Sequence, residues 1–250
     1  MARVRLSREL ILDTAAELVR QSSEDVTLAQ LGEALGVDAT AFYRHFRDKD
    51  DLMRAVGDHI LSAVTVDLPP PSTDWRATVT EICTRLRAAH VGNPRLAELV
   101  RNGPPLNRNE FDLTERMLAE LRAAGCSPTV AAAAYHALIE FTVGSAALDA
   151  ALAAQPATAR QRTYEGWRST YRLLDPAEHP VSVKLAGRLY QGTADTRFRF
   201  GLDCLLDGIF DGIWHAIAMI SICFGLNNLL WTPHLATRFQ YSAPLSKTYF

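Results

Sequence analysis

Apolar residues recur at three- and four-residue steps through most of this chain, and the runs stop at residues that end helices. Leu10, Ile11, Ala15 and Leu18 predict a first helix over residues 8–21, with Ser7 as its cap. Thr27, Leu28, Ala29 and Gln30 read as a capping box, and Leu28, Leu31 and Leu35 give the short helix behind it one apolar face. Gly36 can take the left-handed conformation that closes a helix, and Asp38 is placed to cap the next one. On that next helix Ala41, Phe42 and Phe46 turn inward. Leu52, Val56, Ile60 and Val64 mark a longer helix over 49–66. Leu68, three prolines and Ser72 then make a stiff break, where we draw a domain boundary.

Beyond the break the pattern stays helical. Segments 75–91, 94–101, 107–123, 128–154 and 161–174 read as helices, with Pro128 at a first helical position. Residues 102–105 and 175–192 carry prolines, glycines and polar residues and are expected as loops. Phe198, Leu202, Leu205, Ile209 and Ile213 predict a last helix over 195–213. The expectation is an all-α protein: residues 1–48 a small head, 49–67 a linking helix, 72–213 a helical bundle, and 214–250 an apolar tail.

The stretch 27–46 is the physical recipe of a helix-turn-helix, in which one short helix holds another with its outer face free. That free face suits nucleic acid: Thr40 offers a methyl and a hydroxyl, Arg44 a fork of donors, and Tyr43 and His45 donors for phosphate. Lys49 can meet a phosphate at the start of the linking helix, where free N–H groups also favour an anion. Asp48, Asp50 and Asp51 suit the helix dipole there but repel phosphate. The DNA-facing set is therefore Thr27, Ala39, Thr40, Tyr43, Arg44, His45 and Lys49. Arg3 and Arg5 read as a basic arm for phosphates or as solvated chain.

The head resembles the DNA-binding domain of the TetR (tetracycline-repressor-like) family of bacterial regulators. The matching residues are ILDTAAEL from Ile11 to Leu18, Thr27-Leu28, Leu31-Gly32, Leu35-Gly36-Val37, and above all FYRHFRDKDDL from Phe42 to Leu52, then Val56. Past this quarter of the chain only size and helical character agree. The resemblance implies a cytoplasmic, one-component repressor that binds a palindromic operator in double-stranded DNA as a homodimer. It also implies a ligand domain that dimerises through a four-helix interface. Ala133, Ala137 and Gly144 are small enough for a close helix, and Leu202, Leu205 and Ile209 give an apolar stripe; periodicity alone allows them equally to be core. A small, largely apolar effector is expected among the helices. Its candidate lining is Trp75, His90, Phe111, Met117, Tyr135, Phe141 and Trp167, each of which also reads as core.

Composition narrows the remainder. The chain is 48% hydrophobic and 22% charged with formal net charge −2, a globular balance with no overall basic signal. Cys83, Cys126, Cys204 and Cys223 lie far apart, without metal or redox spacing, and read as buried or half-buried free thiols. There is no apolar leader at the N-terminus. No Gly-rich phosphate loop, nucleophile elbow or paired-histidine zinc motif is present, so neither enzyme activity, nor a metal, nor a cofactor is expected. His136 and Glu140 lie one turn apart and read as an ordinary helical pair. The tail from Trp214 contains no acidic residue. It reads as an extra packed helix, a membrane-contacting segment or an end outside any selected fold. No membrane partner is expected. The alternative to a regulator is a helical interaction or membrane-associated protein using that tail.

Overall fold

The computed structural model describes residues 6–22, 25–71, 74–93, 95–96, 99 and 107–223, with the backbone alone at 151 and over 210–223. The expected basic arm, the 102–105 loop and the tail beyond residue 223 lie outside the described residues, as does most of the expected 94–101 helix. Among the described residues every regular element is helical.

α1 (Arg8–Gln21) starts at Ser7, whose side chain accepts from the Leu10 N–H. α2 (Leu28–Leu35) comes next, then a 3-10 helix (Ala39–Arg44), then α3 (Lys49–Thr65). Ile11, Ala15, Val19, Leu31, Phe42, Phe46, Leu52 and Val56 interlock as the core of this head. Burying such side chains contributes roughly 1.5–3 kcal/mol each. α3 leaves the head still burying Leu61 and Val64.

α4 (Trp75–Gly92) packs along α6 (Pro128–Ala153), and α5 (Arg108–Ala123) lies against both. α3 packs on α4 and α5, so the prolines at 69–71 turn the chain without parting head from bundle. By contacts the chain divides into two compact units after Ala154. The second unit holds α7 (Ala157–Arg172), α8 (Pro180–Leu185), a 3-10 turn (Ala186–Arg188) and α9 (Ala194–Cys223).

Three expected bounds shift. α7 begins four residues early, directly after Pro156, because a proline interrupts the helix before it but leaves the next one free to start. The loop expected over 175–192 contains α8, which starts on Pro180 at a first helical position. α9 continues to Cys223, past the expected end at Ile213, since residues 214–222 contain neither Pro nor Gly to stop it. Cys83 and Cys126 are buried, whereas Cys204 is exposed, contrary to the expectation of covered thiols; all three are free. Burial pushes the Cys83 thiol up to about 11, so it stays protonated and unreactive.

Candidate nucleic-acid interface

The turn between α2 and the 3-10 helix is fixed at both ends. Thr27 Oγ1 accepts from the Gln30 N–H at 3.2 Å, and Gln30 Oε1 accepts from the Thr27 N–H at 2.8 Å, closing the capping box. Gly36 takes φ 65° and ψ 33°, and the Val37 N–H returns to the Gly32 carbonyl at 3.0 Å. Gly32 makes a contact that the residue pattern does not announce. A Cβ there would stand 2.8 Å from the Val37 carbonyl oxygen, so the chain crosses α2 where α2 has no side chain. The LG pair at 31–32 is its only signal in the sequence.

Asp38 opens the next element. Its Oδ1 accepts from the Thr40 N–H at 2.8 Å and the Thr40 hydroxyl at 2.6 Å, and these bonds hold its carboxyl below the usual range. The element is a 3-10 helix and not the expected α-helix: Ala41 N–H reaches Asp38 and His45 N–H reaches Phe42, three residues back. Six residues pinned between Asp38 and the buried Phe42 and Phe46 close the tighter turn. Thr40, Tyr43 and Arg44 face outward, Tyr43 at 55% exposure, while Ala39, His45 and Lys49 are half-buried and Thr27 is exposed. Arg8, absent from the expected DNA-facing set, stacks 4.4 Å over the Phe46 ring and donates to the His45 carbonyl at 2.9 Å. It fixes the end of the reading element to α1.

The acids near Lys49 are partly committed. Asp48 Oδ1 accepts from the Asp51 N–H at 2.7 Å, and Asp51 accepts from the Arg47 N–H at 3.0 Å. They stabilise the start of α3. Asp48 thereby occupies one of the free N–H donors at the start of α3 that could otherwise meet an anion.

The candidate effector residues divide. Trp75, His90 and Met117 are buried in the α4–α6 bundle, and Tyr135 and Phe141 are half-buried on α6. The Tyr135 hydroxyl lies 2.9 Å from that of Thr114, tying α6 to α5. Burial lowers the His90 pKa, partly offset by the bond between Nδ1 and the Leu86 carbonyl. Phe111 is 53% exposed, with Leu113 buried on its helix instead. Trp167 belongs to the second unit, edge-on to Tyr164 and Tyr190. That unit also has an open cleft of about 310 Å³ whose lining includes Glu165, Arg168 and Arg172, polar where the expected effector is apolar. Among the expected interface residues Ala133 and Gly144 are exposed, Ala137, Leu205 and Ile209 half-buried, and Leu202 fully buried. His136 and Glu140 sit on the exposed side of α6.

A short capped helix, a glycine crossing and an outward polar face on an apolar base define a helix-turn-helix DNA-binding protein carrying an all-helical C-terminal part. Family comparison agrees. Residues 11–56 match the family of bacterial regulatory proteins of tetR type, and residues 68–212 match the tetracyclin repressor-like C-terminal domain. An HTH-type transcriptional repressor of Mycobacterium tuberculosis is 32% identical over 211 residues, covering 81% of this chain and 79% of that one. The class C tetracycline repressor protein of Escherichia coli is 30% identical over 210 residues, 82% of this chain and 91% of that one. Among solved structures, apo ActR of Streptomyces coelicolor superposes with a TM-score of 0.72 at 25% identity, over 86% of this chain and 99% of that chain. The same protein in complex with actinorhodin gives a TM-score of 0.71 at 25% identity, over 84% and 99%. The chain belongs to the TetR family. It is a DNA-binding transcriptional regulator of the repressor type, and the matches do not favour the membrane-associated alternative.

Proposed function

We propose that two copies of this chain bind a two-fold operator in the cytoplasm and release it when an apolar effector enters the α4–α6 bundle. The observation that carries the DNA half is the outward set Thr40, Tyr43 and Arg44 on the buried Phe42 and Phe46. Arg44 and Thr40 read bases, while Tyr43, His45 and Lys49 hold phosphates, with Thr27 and Ala39 at the edge of the contact. One element of six residues reads few base pairs, so a dimer on two half-sites is needed for selectivity.

Dimerisation has its own support. The stretch Pro128–Ala150 of α6 is long and apolar enough to cross a bilayer by length and composition, yet only 28% of its most apolar stretch is buried within the chain. In a DNA-binding protein that face is best covered by a second copy. Leu205 and Ile209, half-buried, extend the same argument to α9. The effector half draws on Trp75, His90, Met117, Tyr135 and Phe141, and on ActR, a relative of this fold solved with actinorhodin bound.

The test is selection from a random duplex library followed by gel shift across salt. A two-fold logo is expected. Arg44→Ala should cost about 1–3 kcal/mol and flatten one position of each half-site. Lys49→Ala should weaken every sequence alike and reduce the salt slope by about one. An unchanged logo in Arg44→Ala would remove the base-reading role.

A further inference from the structure

Glu120 on α5 is fully buried, at 0% exposure. Its Oε1 accepts two bonds from Arg116, from Nε at 3.0 Å and Nη2 at 2.7 Å. Its Oε2 is shut off from solvent and accepts no hydrogen bond among the described residues. A carboxylate oxygen so placed loses its water without gaining a protein donor, a condition folded proteins rarely tolerate without a use for it. The buried Thr142 hydroxyl differs, because the Cys83 thiol beside it is a weak partner. Met117 and Leu121, within a turn of Glu120, are apolar and fully buried.

We propose that Glu120 is the polar anchor of the effector site, and that its Oε2 accepts the hydroxyl hydrogen of an uncharged, otherwise apolar phenol or alcohol. The inference rests on the effector reading above. Charge selects the class. Arg116 already neutralises Glu120, so a cationic ligand would bring an uncompensated buried charge, and an anionic one would face a carboxylate. A ligand with acceptors alone would leave Oε2 as it is. A neutral donor satisfies it at no cost in charge. The same Arg116 guanidinium also donates to the Pro69 carbonyl, in the connection beyond α3. A hydroxyl on Glu120 therefore acts one side chain away from the segment that leaves the linking helix.

The test uses the full chain with two matched pairs: 2-naphthol against 2-methoxynaphthalene, and 4-phenylphenol against 4-methoxybiphenyl. Affinity is read by calorimetry, and function by release of a selected operator duplex. Each phenol is expected to bind at least about tenfold more tightly than its ether. In Glu120→Gln, Arg116 retains the amide oxygen and the amide NH2 takes the place of Oε2. Donor then meets donor, so the preference vanishes or inverts. Ethers binding as well as phenols to wild type, a comparison that needs no variant, would overturn the anchor. So would a Glu120→Gln protein that keeps the preference. If none of the four compounds binds, and a broad apolar panel neither stabilises the protein nor releases DNA, the effector reading itself fails and the anchor with it.

Discussion

Replacing Gly32 with alanine tests the crossing that shapes the reading head. In an ordinary helix the change is favourable: alanine gains about 0.8–1 kcal/mol over glycine. At Gly32 the new Cβ would lie 2.8 Å from the Val37 carbonyl oxygen and 3.5 Å from the Ala39 nitrogen. The obstructing atom is backbone, and its own residue is tied back to Gly32 by the 3.0 Å Val37 bond, so no side-chain rotation relieves it. Forcing an extra carbon into packed surroundings costs about 1–3 kcal/mol. The clash therefore outweighs the gain over most of that range, for a net loss of up to roughly 2 kcal/mol. The displaced segment carries Thr40 and Arg44, so operator affinity should also fall, by about tenfold if a base contact is lost. Gly166, inside α7 with nothing within 4 Å of an added Cβ, is the control and should gain the usual increment as Gly166→Ala. Hydrogen exchange of head amides and urea midpoints by circular dichroism measure both. A Gly32→Ala protein as stable as Gly166→Ala, with full operator affinity, would refute the crossing argument.

Leu205→Glu with Ile209→Glu should halve the mass seen by light scattering with helicity retained, since both side chains are only half-buried within the chain; a wild type already monomeric at micromolar concentration would end the interface reading. For His90 the folded pKa lies below its ordinary value of 6.5, so its contribution to stability is complete above the unfolded pKa and is lost as pH falls toward the folded one. His90→Asn should flatten that part of the stability-against-pH curve, and an unaltered slope would remove His90 as its source. Asp58→Ala takes away the acceptor for the first turn of α5, at a cost of about 1–2 kcal/mol by analogy with cap deletions. It should also blunt effector release, read by anisotropy of labelled operator, more than it weakens ligand-free DNA binding; an intact response would show that this link carries no signal.

The head was legible because its logic is local. Thr27 with Gln30, Gly36, Asp38, and the inward Phe42 and Phe46 against outward Tyr43 and Arg44 all come from spacing within 20 residues. The features that escaped are set by atoms brought together only on folding. The 3-10 geometry depends on how the segment is pinned, and the role of Gly32 depends on where Val37 passes. In the bundle, size misled: Phe111 reads as core, yet it falls in the first turn of α5, whose orientation leaves it exposed while Leu113 and Met117 face in. No pattern in the sequence distinguishes Glu120 from a surface glutamate, because its burial is decided by its helix neighbours.

The linking helix α3 runs from the head toward the proline break, and its contacts show where it is held. The Asp58 carboxylate accepts from the Asn109 N–H at 2.9 Å and the Glu110 N–H at 3.2 Å, with the Asn109 side chain adding a third bond at 2.9 Å. A side chain of α3 thus caps α5 from outside, across 51 residues of sequence. Past the end of α3, Arg85 of α4 donates to the Val66 carbonyl at 2.6 Å and Arg116 of α5 to that of Pro69. Arg95 pairs with Asp25 ahead of α2, and this pairing holds the Asp25 carboxyl below its usual range. The prolines therefore do not serve as a free hinge. Asp58 at mid-helix and Pro69 beyond its end thus tie α3 and the chain after it to α5. Two attachments along one helix resist bending and favour tilting it as a body. In the proposed dimer, operator half-sites sit at a fixed spacing near one helical turn, so a small tilt would lose one of two contacts while each head stays folded. On the proposed function, the α3–α5 contact is where an effector acting on α5 would change the angle of α3 that the DNA reads.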